Sequence, residues 1–163
     1  MTDRHSLIED EIFAIRQSGE MPEVALHTAL HELQVNPEGP GLRLAPKDIR
    51  RLKDAVEQRY LKILMRDLNP RYRDRTIYRG LARAMANWQR LARFCERESR
   101  DAAPHRQGAA EALRAFLVVE IEDAAKGRPP GAVNCTAAEL EAFAATLGLA
   151  PEDLPGGWEA VCA

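Results

Sequence analysis

The stretch IYRGLARAMANWQRLARFCER, residues 77–97, decides the fold class of this chain. Wound at about 100° per residue, Ile77, Leu81, Ala84, Met85, Trp88, Leu91, Ala92 and Cys95 fall within a stripe of about 120°. Arg79, Arg83, Arg90, Arg93 and Arg97 lie opposite, within about 40° of one line. A strand would alternate at every second residue, and this segment does not. It predicts a helix with one apolar face to bury and one arginine face to leave outside.

The same period extends in both directions. Upstream, residues 46–68 carry Ile49, Leu52, Val56, Tyr60, Ile63 and Leu64 on one stripe. Leu61, Met65 and Leu68 form a second apolar face at the C-terminal end, which predicts a central position in a bundle or a partner that covers that face. Between the two periodic segments lies NPRYRDRTIYRG, residues 69–80, with four arginines, two tyrosines and one acid. Starting the second helix at Asn69-Pro70 would aim Arg73 and Asp74 along its apolar face. Asp74 is therefore the expected N-cap, and NPRYR the turn of an antiparallel hairpin.

Further out, Leu7, Ile8, Ile12 and Ile15 predict a helix over 3–17, and Leu26, Leu30 and Leu33 a second one from Pro22 to about 34. NPEGPGLRLAP, residues 36–46, reads as a loop. Leu113, Phe116, Leu117 and Ile121 predict a helix over 107–126, although FLVVEIE is β-branched enough to form a strand. GRPPG breaks the chain after it. Thr136-Ala-Ala-Glu139 is a capping box opening a helix to about Leu147, with Gly148 closing it. The expectation is an all-α single domain. It is an antiparallel bundle of four to five helices with a short helical C-terminal appendage, and no internal repeat is visible.

Composition narrows the function. The 163 residues carry a net charge of −2, unevenly spread: −6 over residues 1–40, +10 over 41–100 and −6 over 101–163. An acidic helical pair (1–34) and an acidic, alanine-rich C-terminal part (105–163) thus flank a basic hairpin (46–98). The N-terminus lacks the basic start and apolar run of a signal peptide, and AFLVV is too short to span a bilayer. Cys95, Cys135 and Cys162 form no C-x-x-C pair, which argues against a disulfide framework and a zinc ribbon. A reducing cytoplasm fits these features. Cys95 reads as core packing, and Cys135, in a loop, as the more accessible thiol.

Phosphate loops, dinucleotide fingerprints and nucleophile elbows are absent, so the chain reads as a binding protein rather than an enzyme. The candidate binding residues are Arg71, Arg73, Arg75, Arg79, Arg83, Arg90, Arg93 and Arg97, with Tyr72 and Tyr78 beside them. Guanidinium groups suit bidentate contacts to carboxylate or phosphate. The leading expectation is an accessory, adaptor or regulatory protein whose arginine hairpin engages an acidic protein partner. The alternative is a nucleic-acid-binding protein in which the arginines track phosphates and the tyrosines stack on bases. A line of arginines is also what any amphipathic helix shows to solvent, and the acidic flanks could neutralise it internally.

Glu23, His27 and His31, four apart along one helix, are weak metal candidates, because neither H-E-x-x-H nor E-x-x-H accompanies them. No cofactor is expected; association between copies would fit the second apolar face. Glu120 shares a face with Phe116, Leu117 and Ala124, so it needs either an interhelical arginine or a shifted pKa. Asp67 stands in line with Val56, Tyr60 and Ile63 and is within reach of Arg71, four residues on.

Overall fold

The computed structural model describes residues 46–73, 80–128 and 133–163. Of these, 77% are helical and none is in a strand, so the all-α class read from the periodicity holds. The chain divides into two compact units, Met1–Tyr60 and Leu61–Ala163. The helices expected over 3–17 and 22–34 lie outside the described residues, as does the N-cap expected at Asp74.

Helix α1 (Pro46–Asp67) opens on a proline, whose fixed φ suits a first turn and whose missing N–H costs nothing there. In the first unit its stripe buries Leu52, Val56 and Tyr60 completely. In the second unit Leu64 and Leu68 are buried, while Leu61, Ile63 and Met65 are half-buried. Neither apolar face of this end is fully exposed.

The turn that follows is short and specific. Asn69 is extended (φ −87°, ψ 115°), and its Oδ1 accepts the Arg71 N–H at 3.0 Å. Pro70 then starts a single 3₁₀ turn, Pro70–Tyr72, closed by the Arg73 N–H on the Pro70 carbonyl at 3.3 Å. Asn69 thus caps, but it caps three residues rather than a long helix.

Helix α2 (Gly80–Arg97) buries Leu81, Ala84, Asn87, Trp88, Leu91, Phe94 and Cys95. Helix α3 (Ala103–Ala125) starts four residues before the expected Gln107. Its apolar periodicity begins only at Ala109, but the Asp101 carboxylate accepts the Ala103 N–H at 2.9 Å and Pro104 occupies the first turn. FLVVEIE lies within α3, where Phe116, Leu117 and Glu120 face inward. Helix α4 (Ala137–Thr146) carries the expected capping box: Glu139 N–H donates to Thr136 Oγ1 at 3.2 Å, and Thr136 N–H to Glu139 Oε2 at 2.8 Å. Two 3₁₀ turns follow, Pro151–Asp153 and Trp158–Val161, and the second packs Trp158 and Val161 back against α3.

Helices α2, α3 and α4 all end in the same device. A left-handed residue lets the next N–H reach back five residues: Arg100 to the Cys95 carbonyl at 2.7 Å, Arg128 to Asp123 at 2.9 Å and Leu149 to Ala144 at 2.9 Å. Glycine occupies the left-handed position at Gly127 and Gly148, but α2 uses Ser99 at φ 54°. A Cβ in this region costs about 1–2 kcal/mol, while glycine loses about 0.5–1 kcal/mol more chain entropy. Ser99→Gly is therefore expected to raise stability by about 0.5–1 kcal/mol, seen as a higher urea midpoint at unchanged m-value. A lower midpoint would mean that Ser99 holds this conformation through more than backbone.

Candidate functional site

Two buried polar networks sort the arginines of the second unit into inward and outward sets. The first lies between α1 and α2. Asp67 is fully buried at the end of α1, and Asn87 takes an inward position on α2 between Ala84 and Leu91. The Asn87 side-chain amide donates to Asp67 Oδ2 at 2.7 Å, and Arg66 Nη2 reaches Asp67 Oδ1 at 3.1 Å. Arg90 in turn donates to Asn87 Oδ1 at 3.1 Å, so a half-buried guanidinium is linked through the amide to the buried carboxylate. Burial raises the Asp67 pKa above 3.8; hydrogen bonds from Arg66 and Asn87, and the charges of Arg66 and Arg83, oppose the rise. The expected partner, Arg71, is not the one used. It points out from the 3₁₀ turn, while Arg66 is adjacent and Asn87 arrives from the facing helix.

The second network joins the 3₁₀ turn to α3. Arg73 forms ion pairs with Glu120, at 3.3 Å, and with Asp123. The Arg73 side chain is only 12% exposed and Glu120 is 1% exposed. Arg128 approaches the same Asp123 from the end of α3 at 3.7 Å. Glu120 thus has the interhelical arginine that its position demanded. Arg73, expected on a binding surface, is instead engaged inside the unit. Its guanidinium already sits between the two carboxylates, which leaves them no role as a cation site.

Arg83, Arg93 and Arg97 are exposed, Arg90 is half-buried, and Arg71 and Tyr72 lie exposed and half-buried on the turn. Arg75, Tyr78 and Arg79 are outside the described residues, as are the metal candidates Glu23, His27 and His31.

The thiols differ from expectation. Cys95 is buried in the α2 stripe, as its spacing implied, but Cys135 is also buried. Its carbonyl accepts the Ala163 N–H at 2.8 Å, so the C-terminal segment lies directly against it. Burial, with smaller effects from Cys162 and Glu139, pushes the Cys135 thiol up to about 11. A thiol held protonated in this way is a poor nucleophile.

Sequence reasoning missed Asn87 and Asp123. Both carried a signal, since each is a polar residue three positions from a flagged neighbour on a buried face, Ala84 for one and Glu120 for the other.

Removing Arg73 leaves Glu120 and Asp123 buried beside the gap. Arg73→Ala is expected to cost on the order of 3 kcal/mol in urea unfolding, against less than about 0.5 kcal/mol for exposed Arg71→Ala. Equal, small losses for the two variants would show that the cluster is not structural. Asp67 predicts a pH dependence. Its folded-state pKa lies above 3.8, so the folded state holds the proton more tightly than the unfolded chain does. Its contribution to stability is full below 3.8 and is lost as pH rises through the raised value. The stability of wild type relative to Asp67→Asn should therefore fall over that window. A difference that rises or stays flat with pH would contradict the burial argument.

The family model described as "Repeat of unknown function (DUF7826)" matches residues 3–149, and the chain belongs to that family. No curated protein and no solved structure matches it.

Proposed function

We propose that this member of a repeat family is a non-enzymatic binding module, of the accessory, adaptor or regulatory kind, whose arginine face on α2 engages an acidic surface of a partner protein. One observation carries the reading. Arg83, Arg93 and Arg97 are exposed along α2 while the opposite stripe, including Leu81, Trp88, Leu91 and Cys95, is buried. The apolar side of this helix is thus already used for folding, and its guanidinium side faces outward, where arginine suits carboxylates. In this reading the helices form an antiparallel bundle with a short C-terminal appendage, which keeps the outer side of α2 turned away from the core. Membership of a repeat family supports the same conclusion, since repeat units commonly act through extended surfaces rather than catalytic pockets. No helix among the described residues is long and apolar enough to cross a membrane, so the partner is sought among proteins away from the bilayer core.

Arg93→Glu/Arg97→Glu is the appropriate test, because Arg90 belongs to the Asn87 network and Arg83 acts on Asp67. Affinity capture from the native host should retain an acidic protein on wild type and lose it on this variant, with thermal stability unchanged. Equal capture by both proteins would overturn the arginine-face reading. Fluorescence anisotropy with DNA and RNA oligonucleotides separates the alternative. Binding that falls steeply with salt and vanishes in the variant would assign the same face to nucleic acid.

A further inference from the structure

The second unit also carries a surface of the opposite charge. The outer side of α3 and the 3₁₀ turn Pro151–Asp153 enclose an open groove of about 560 Å³, lined by Glu111, Arg114, Val118, Glu152, Asp153 and Leu154 among others. Its three acids outnumber its one arginine, and all four are exposed. Val118, which also lines it and is 41% exposed, is the only large apolar side chain left exposed among the described residues. The groove is not loosely built. The Asp153 carboxylate accepts the Ala150 N–H at 2.8 Å and holds the turn, while Leu154 is buried behind it. Glu111, Arg114 and Val118 recur at three- and four-residue steps along one line of α3, and Glu152 and Asp153 of the turn line the same groove. An arginine-bearing helix has the matching shape and charge: guanidinium groups for the acids and aliphatic stems for Val118.

We propose that the occupant of this groove is the arginine face of α2 from a second copy of the unit, so that copies associate head to tail. The inference rests on the arginine-face reading and names its partner. Both complementary surfaces occur on one unit, as a contact between unlike patches of identical chains requires. The family is one of repeats, whose units contact their neighbours. The opposite charges of residues 41–100 and 101–163 then have a common purpose: each copy offers a basic side to one neighbour and an acidic side to the other.

Sedimentation equilibrium of the full chain at about 0.01 M salt, where exposed charges act over about 30 Å, tests this directly. Wild type should associate with increasing concentration, beyond dimers, because a head-to-tail contact that does not close leaves free ends. Arg93→Glu/Arg97→Glu and Glu111→Arg/Glu152→Arg should each weaken association on the order of tenfold or more. Mixed together, the two variants should associate again, since the intact arginine face of one meets the intact groove of the other and the reversed face meets the reversed groove. A protein that stays monomeric at every concentration, or association that persists in both variants, or a mixture that fails to pair, would overturn the proposal. If the wild type is monomeric while the arginine variant still loses its acidic partner from the host, the binding-module reading stands and only its assignment to a second copy falls.

Discussion

The guanidinium of Arg73, set between Glu120 and Asp123, is the contact on which the second unit depends. Helix α3 turns two carboxylates inward among Phe116, Leu117 and Leu113, and a carboxylate cannot stay ionised there without a cation beside it. No basic residue on the inward face of α3 supplies one. The cation comes instead from the turn at the end of α1, so neutralising α3 pins that turn against it. Asn69 and Pro70 shape the turn and deliver Arg73 to the right depth. A local motif of five residues thereby determines where α1 ends relative to α3. NPRYR is a structural connection before it is anything else.

The Asp67–Asn87–Arg90 network does for α1 and α2 what Arg73 does for the turn and α3. Together they consume part of the positive charge that makes residues 41–100 so basic. Arg66, Arg73 and Arg90 reach buried carboxylate or amide groups within the unit, whereas the side chains of Arg83, Arg93 and Arg97 are exposed. The basic patch is therefore narrower than the composition implies. Along α2 itself the exposed arginines form a line on one helix face. Glu111, Glu152 and Asp153 line a groove on another side of the same unit.

Much of this was legible in the amino-acid order. The α2 stripe, the capping box at Thr136 and Glu139 and the stop at Gly148 were all readable, because each is encoded within a few residues. Glu120 was recognisable as a carboxylate on an apolar face, and its need for an arginine followed from electrostatics. Other features were not readable. The start of α3 at Ala103 lies ahead of the apolar pattern, where the Asp101 carboxylate accepts the Ala103 N–H and Pro104 fills the first turn. Cys135 looked exposed because it stands in a loop, yet the C-terminal segment returns to cover it.

The division follows the range of the forces involved. Helical class, the capped start and glycine stop of α4 and the presence of one apolar and one cationic face on α2 were determined by the sequence alone, since period, propensity and capping act over three or four positions. Which arginine neutralises Glu120, which of Arg66 and Arg71 meets Asp67, and which thiol is sealed were decided only by the tertiary structure. Arg73 and Glu120 stand 47 positions apart, and among 19 arginines nothing in the local order marks the one that packing will bring within 3.3 Å. Desolvation sets the need for a countercharge, but only the packing of distant segments selects the residue that meets it.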